Sequence, residues 1–180
     1  MVKVKCFIDK DYEEMYLNEM SAKGWALEKI ICFKNGLFPI GFYKFSKCTP
    51  RQYKYRLDLQ TNMTRAGIKD HIKKIESTGA HLVSERKDWL VFRREKDFHF
   101  KIKNETKLTY YKKLRNMYLF MAFAILVFLA VEYNFYYNAD GNVEKWILWM
   151  CGLFALIGVT MLVCASKARS IVNELKIRNI

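Results

Sequence analysis

The chain has 180 residues, of which 52% are hydrophobic and 27% are charged, and its formal net charge is +13. This composition argues against an intrinsically disordered chain and against a collagen-like fibre. Nearly all of the excess of Lys and Arg lies in residues 1–116, whereas residues 117–166 are almost free of charge. The sequence therefore divides into a basic amino-terminal part and an apolar carboxy-terminal part.

Residues 2–47 predict a strand, a helix and two further strands, in that order. Val2, Val4, Cys6 and Ile8 lie on one face of a predicted strand, with Lys3 and Lys5 on the other, which is typical of a strand with one apolar face. Asp11 is the predicted N-cap of a helix over residues 12–23, and Gly24 ends that helix. The predicted apolar stripe of this helix consists of Tyr12, Met15, Tyr16 and Met20.

Residues 53–94 repeat this order of elements. Apolar and charged residues alternate from Tyr53 to Leu59, which predicts a strand. A helix near residues 64–77 follows and ends at Gly79, and its apolar face consists of Ile68, Ile72 and Ile75. A predicted hairpin closes the second unit.

The predicted fold class is α+β, a two-layer sandwich made of a mostly antiparallel sheet of about six strands with two helices on one face. It is built from a duplicated strand–helix–strand–strand unit and is followed by a two-helix transmembrane hairpin. The predicted cytosolic domain covers residues 1–96.

Two short patterns in this region resemble a known family. The first is the helix end "L-x-x-M-x-x-x-G-W-x-L", and the second is the strand "Y-x-Y-R-x-D". Their residues here are Leu17, Met20, Gly24, Trp25 and Leu27, then Tyr53, Tyr55, Arg56 and Asp58. They resemble an uncharacterised Gram-positive bacterial family, the domain of unknown function numbered 2812. The resemblance implies a cytosolic domain joined to membrane helices, in genes that often neighbour PadR-like transcriptional regulators. It implies no reaction and no ligand.

Two uncharged or nearly uncharged runs predict transmembrane helices at residues 116–137 and 146–166, joined by an external turn at residues 138–145. About 20 apolar residues suffice to cross a bilayer core of roughly 30 Å. Glu132 lies near the end of the first run, where we expect it to reach the headgroup region. The alternative is a buried helical hairpin in a soluble protein.

Basic residues flank the two runs, in a juxtamembrane segment at residues 97–115 and in a tail at residues 167–180. Because Lys and Arg are retained on the cytoplasmic side, we expect a multi-pass protein of the inner membrane with both termini in the cytoplasm. Membrane lipid is then one partner, since anionic headgroups attract juxtamembrane cations. The residues predicted to face the lipid headgroups are Lys101, Lys103, Lys107, Lys112, Lys113 and Arg115.

Arg56 and Asp58 lie two positions apart on a predicted strand, so they point to the same side as Lys54. Lys44 and Arg93 are expected to join them. One interpretation is a basic platform that binds an acidic protein partner or a small anion. The other is a solvated face with charge pairs between strands.

The sequence contains no glycine-rich phosphate loop and no nucleophile elbow, and its three His residues are far apart. We therefore expect no enzyme, no cofactor and no metal site. The five Cys residues contain no C-x-x-C pair, and we expect free thiols. Nucleic acid is an unlikely partner for the interleaved basic and aromatic residues, because anionic lipid explains the charge more directly.

The functional hypothesis is a membrane-anchored binding or regulatory module that brings a protein partner or small effector to the membrane. A PadR-like regulator is the partner that the resemblance suggests. The alternative is an accessory subunit of a membrane transporter. Small residues at Gly152, Ala155 and Gly158 also leave homo-oligomer formation open.

Overall fold

The computed structural model describes residues 1–32, 39–61, 63–86, 88–95, 98, 104–138 and 145–177. They form two compact units, Met1–Lys107 and Leu108–Ile180. The elements in chain order are β1 (Val2–Cys6), α1 (Lys10–Ala22), β2 (Trp25–Cys32), β3 (Ile40–Lys47), β4 (Lys54–Leu59), α2 (Arg65–Glu76), β5 (His81–Glu85), β6 (Trp89–Arg94), α3 (Asn104–Asn138) and α4 (Lys145–Ile177). The predicted α+β class is confirmed.

The six strands form two three-stranded antiparallel sheets. The first sheet has the order β1-β3-β2, and the second has the order β4-β6-β5. In each half the third strand lies between the other two, so the duplicated strand–helix–strand–strand unit is confirmed. The strands are divided between two sheets, where the sequence predicted one.

Leu27 on β2 explains why the sheets stay separate. Its N–H donates to the hydroxyl of Tyr55 on β4 at 2.8 Å, and its carbonyl accepts from Arg93 on β6 at 3.4 Å. A β-bulge also follows Leu27, between it and Lys29. Side chains of the second half therefore occupy the backbone groups of β2 that a further strand would need.

Helix α1 begins earlier than predicted and buries a different face. Its N-cap is Asp9, whose carboxylate accepts from the Asp11 N–H at 3.0 Å. Tyr12 and Met15 are 65% and 57% exposed, so the predicted apolar stripe is wrong at these two positions. The residues that α1 buries are Glu13, Leu17, Met20 and Ser21. Two of the four are polar, which a pattern of apolar spacing does not detect.

Helix α2 agrees with its prediction. Thr64 is the N-cap, and its hydroxyl accepts from the Gly67 N–H at 3.2 Å. The apolar face of α2, made of Ile68, Ile72 and Ile75, packs on Ala80, Leu82, Leu90, Phe92 and Phe98. This cluster is the core of the second half.

Helices α3 and α4 have 35 and 33 residues, which corresponds to about 50 Å each. They pack against each other along two clusters. The first cluster has Tyr118 and Ala122 against Met161 and Ala165, and the second has Tyr111 against Val172 and Leu175. The second cluster lies in the predicted juxtamembrane segment and tail. The described parts of the predicted juxtamembrane segment and tail are therefore helical, as continuations of α3 and α4. The contact between the two helices extends into them.

Both helices are long and apolar enough to cross a membrane. The candidate spans are Asn104–Phe135 and Trp149–Ile177, with a mean hydropathy of 2.0 in each. In the most apolar 18-residue stretch of each helix only 11% is buried, so the apolar side chains of both helices are mostly exposed. Large exposed apolar side chains are Leu119, Phe120, Phe123, Leu126, Val127, Phe128, Val131, Leu153, Leu156, Val159, Leu162 and Val163. Most of the predicted turn at residues 138–145 lies outside the described residues.

Candidate functional site

The predicted basic platform begins with three residues of β4, and α2 covers the face on which they lie. Arg56 and Asp58 pair across the sheet with Phe92 and Leu90, which belong to the core beneath α2. The Asp58 carboxylate is buried and lies 2.7 Å from Nε2 of His71 on α2. Lys54, at the start of the strand, is exposed.

Arg56 is held by groups of its own domain. Its guanidinium forms an ion pair with Glu14, and its Nε donates to the Phe98 carbonyl at 2.8 Å. Asp58 likewise accepts a hydrogen bond from the Gln60 amide. These two side chains therefore bind neighbouring elements of the fold.

Lys44 and Arg93 do not join the other three residues. Lys44 lies in the first sheet, where it forms an exposed ion pair with Glu28 at 2.9 Å. Arg93 is the cross-strand partner of Tyr55, on the opposite face from Arg56, and stacks on the Tyr53 ring at 4.8 Å. The five residues therefore do not share one open face in the described structure. A binding role for the individual residues stays a prediction.

A buried ionic cluster lies where the two halves meet. Glu13 is 0% exposed, and its Oε1 accepts from the Tyr43 hydroxyl at 2.7 Å and lies 2.7 Å from the Arg86 guanidinium. Lys10 lies 2.7 Å from the other carboxylate oxygen. Sequence reasoning missed this cluster, because Glu13 stands among ordinary surface charges of an amphipathic helix.

The charge of Glu13 is set by its two cationic neighbours. Burial alone raises the pKa of Glu13, but the positive charges of Lys10 and Arg86 and their hydrogen bonds reverse that effect, so the pKa lies below its ordinary value. The carboxylate is therefore ionised and fully engaged. Its geometry serves to hold α1, β3 and the β5–β6 turn together.

A second polar face of α1 covers the edge of β4. The Glu14 carboxylate accepts from the Leu57 N–H at 2.9 Å. Asn18 bonds both backbone groups of Tyr55, and Ser21 bonds both backbone groups of Tyr53. The edge of the second sheet is therefore satisfied within the chain.

The corresponding surface of the first sheet is open. All five residues of β1 are exposed. Val4 pairs with Phe42 on β3, and Phe42 pairs with Ile31 on β2, so these side chains form one apolar row across the sheet. With Val2 they form what we call the open face, whose exposed fractions are 60% for Val2, 58% for Val4, 55% for Ile31 and 40% for Phe42.

The second half shows how this surface behaves when it is covered. Val4 and Leu59 occupy the same position relative to the helix N-cap of their own half, and their cross-strand partners are Phe42 and Trp89. Leu59 and Trp89 are only 6% and 3% exposed. The open face is therefore the uncovered counterpart of a core surface. Its sequence signal was the alternation of Val and Lys in β1, which predicted an apolar face without indicating that this face is exposed.

The predicted lipid-facing cations are only partly described. Lys107 forms an ion pair with Asp11 at 2.7 Å inside the first unit. Lys112 and Lys113 are exposed on α3, and Arg115 donates to the Asn116 side chain at 2.8 Å. Lys101 and Lys103 lie outside the described residues.

In the described ranges no three His, Cys, Asp or Glu side chains converge as they would around a metal ion. Among the described residues, Cys6, Cys48, Cys151 and Cys164 form no disulfide bond. The first unit thus presents a buried ionic cluster and an open apolar face.

Comparison with known proteins gives one match. The model of a family described as "Protein of unknown function (DUF2812)" matches residues 9–123, more than half of the chain. No curated protein and no solved structure matches the chain. The match includes α1, both sheets except β1, and the first part of α3, and it confirms the resemblance of the two short patterns. The chain therefore belongs to the DUF2812 family.

Proposed function

We propose that this protein is a membrane-anchored binding module without enzymatic activity, which recruits a protein partner through the open face. The observation that carries the proposal is the open face itself. Val4 and Phe42 are exposed on the first sheet, whereas their counterparts Leu59 and Trp89 are buried in the second. An apolar surface of this kind, bordered by charged residues such as Lys44 and Glu28, is typical of protein interaction sites.

The distribution of charge supports a binding role over a catalytic one. Glu13 and Asp58 are buried, and Lys10, Arg86, Glu14 and Arg56 are partly buried. Each of these six residues forms an ion pair within the first unit. General acid–base catalysis needs such groups to reach a substrate. Here they stabilise the fold.

The membrane anchor in this proposal is the pair α3 and α4, both spanning the inner membrane. Exposed Lys112 and Lys113 precede the apolar part of α3, and Lys167 and Arg169 follow that of α4. Because Lys and Arg stay on the cytoplasmic side, both termini and the first unit lie in the cytoplasm. The same cations bind anionic headgroups.

Topology is tested with a cysteine-free variant that carries a single thiol at Asn142, in the predicted turn. We expect a membrane-impermeant maleimide to label this thiol in intact cells. A thiol placed at Tyr12 on exposed α1 is the control and should react only after lysis. The opposite labelling pattern contradicts the proposed orientation.

Recruitment is tested by co-purification of the full chain from native membranes in mild detergent. Phe42→Glu introduces a charge into the open face, whereas Tyr12→Glu changes an equally large exposed residue elsewhere on the first unit. We expect Phe42→Glu alone to release the captured partner. Capture that is unchanged in both variants contradicts recruitment through this face.

The identity of the captured protein separates the two functional classes. We propose a soluble regulator, with a PadR-like transcriptional regulator as the first candidate because of the family resemblance. Recovery of a permease or a transport ATPase identifies the chain as a transporter subunit instead.

A further inference from the structure

We propose that β1 is a strand-addition site, at which an extended segment of the recruited protein pairs with the free edge of the first sheet. The segment alternates acidic with apolar residues. This inference rests on the proposed recruitment function and specifies the surface and the chemistry of the partner.

The hydrogen bonds at the two ends of β1 define its free edge. Met1 and Phe45 exchange both backbone hydrogen bonds, at 2.7 and 2.8 Å, and the Phe7 N–H donates to the Pro39 carbonyl at 2.9 Å. In an antiparallel ladder, alternate residues bond the same neighbour. Lys3 and Lys5 therefore bond β3, and the residues whose N–H and C=O groups point away from β3 are Val2, Val4 and Cys6.

No other described element forms a ladder with that edge. The edge of β4, by contrast, is covered by Glu14, Asn18 and Ser21 of α1. The same fold therefore satisfies one of its two equivalent edges within the chain and leaves the other exposed. An exposed row of alternating donors and acceptors is the template for strand addition.

Side chains of β1 define what the added strand must carry. Directly opposite residues of paired strands lie on the same side of the sheet. Residues opposite Lys3 and Lys5 would meet two exposed lysine side chains, of which Lys5 places its ammonium over the Tyr16 ring at 5.3 Å. Two neighbouring positive charges favour Asp or Glu on the added strand. A residue opposite Val4 would extend the apolar row that continues to Phe42 and Ile31, and a residue opposite Val2 would meet another exposed apolar side chain. Both positions therefore favour Val, Ile or Leu.

A second copy of this chain is a poor occupant of the edge. Antiparallel pairing of two β1 strands about Val4 places Lys3 of each copy opposite Lys5 of the other, and like charges at directly opposite positions are destabilising. Lipid is a poor occupant as well, because the unpaired backbone groups of an open edge are not tolerated in hydrocarbon. The lysines and the free edge together favour an acidic strand from another protein.

The test uses the full chain in detergent micelles and a fluorescent peptide of alternating Val and Glu. A peptide of the same composition in blocked order, with the Glu residues together, is the control ligand. We expect the alternating peptide to bind more tightly and to protect the amide hydrogens of Val2, Val4 and Cys6 from exchange. Equal binding of both peptides, or protection elsewhere, overturns the proposal.

Two variants of β1 test the backbone and the charges separately. Val4→Pro removes an N–H that β3 does not use, so the fold is retained, while Val4→Thr keeps that N–H. We expect Val4→Pro to weaken peptide binding about tenfold and Val4→Thr to have little effect. Lys3→Glu with Lys5→Glu should abolish binding of the Glu peptide and create binding of a matching Lys peptide. Unchanged binding in either variant overturns the proposal.

Other occupants give different results. A concentration-dependent dimer that Val4→Pro dissociates identifies a second copy, and binding to anionic vesicles that Phe42→Glu abolishes identifies lipid; each overturns the acidic strand. Phe42→Glu tests recruitment through the open face independently of strand addition. If Phe42→Glu releases the native partner and Val4→Pro does not, recruitment through the open face stands and strand addition fails.

Discussion

Asn18 bonds both backbone groups of Tyr55, as a neighbouring strand would do. Its Oδ1 accepts from the Tyr55 N–H at 2.9 Å, and its Nδ2 donates to the Tyr55 carbonyl at 3.2 Å. The Tyr55 hydroxyl in turn accepts from the Leu27 N–H. Through this one tyrosine, the first helix, the second strand and the second sheet are joined.

Asn18→Ala should therefore destabilise the first unit. It leaves a donor and an acceptor of Tyr55 unpaired in a region that is partly buried, and we expect a loss of about 1–3 kcal/mol in the free energy of unfolding. Urea denaturation of the full chain in detergent, followed by tryptophan fluorescence, measures this loss. Glu19→Ala, at an exposed position of the same helix, is the control. Equal losses would contradict the role of the amide.

Glu13→Gln should be more damaging. It removes the negative charge that faces Lys10 and Arg86, and both cations stay in a buried setting. Loss of one partner of a buried ion pair costs about 3–5 kcal/mol. The same denaturation experiment applies, with Glu19→Gln as the exposed control. If Glu13→Gln lowered the free energy of unfolding no more than Glu19→Gln does, water would have to reach the cluster around Glu13.

The pH dependence of stability follows from the sign of the Glu13 shift. The pKa of Glu13 lies below its ordinary value of 4.5, so its stabilising contribution is complete above that value. It is lost as the pH falls through the pKa of the folded state. We expect the free energy of unfolding to fall more steeply in the wild type than in Glu13→Gln as the pH falls below 4.5, the ordinary pKa of the Glu side chain. Parallel pH profiles would contradict the assignment.

The two helix-ending glycines should differ in their response to Ala. Both have positive φ, 78° at Gly24 and 86° at Gly79. A Cβ at Gly24 would lie 3.0 Å from the Cys48 carbonyl oxygen, whereas at Gly79 the nearest atom lies 3.8 Å away. We expect Gly79→Ala to lower the free energy of unfolding by about 1–2 kcal/mol, and Gly24→Ala to lower it by about 1–3 kcal/mol more. Thermal denaturation checks the order, and the reverse order would contradict it.

Helix contact in the second unit should depend on Gly158. A Cβ there would lie 3.2 Å from Ile125 Cγ2, but nothing lies within 4 Å of a Cβ at Gly152. Gly158→Leu should therefore separate α3 and α4 and cost about 1–3 kcal/mol, while Gly152→Leu should be neutral. Unfolding in mixed micelles with increasing SDS measures both. Equal effects would argue against this packing.

Elements with a strong periodic pattern were predicted correctly. Ile68, Ile72 and Ile75 lie on the buried face of α2, and Gly79 ends that region as expected. The order of elements along the chain, strand–helix–strand–strand in each half, was predicted from the repeated pattern. These features depend on local spacing and turn chemistry, which a sequence displays directly.

The exposed and buried surfaces of the first half were predicted less well. Tyr12 and Met15 had the spacing of an apolar stripe, yet α1 instead buries Glu13 and Ser21 against groups of the second half. The apolar face of β1 likewise is open because none of the described elements packs against it. Both results depend on contacts between distant residues, which local spacing does not encode.

The order in which the ribosome makes these elements has a consequence for biogenesis. Three polar residues of α1 bind residues that are translated later: Ser21 binds Tyr53, Asn18 binds Tyr55 and Glu13 binds Arg86. These contacts can form only after most of the first unit has been synthesised. The apolar stretch of α3 is translated soon afterwards. For the membrane-anchored protein proposed above, the nascent chain must complete its amino-terminal half within the same short period in which its next segment enters the membrane insertion machinery.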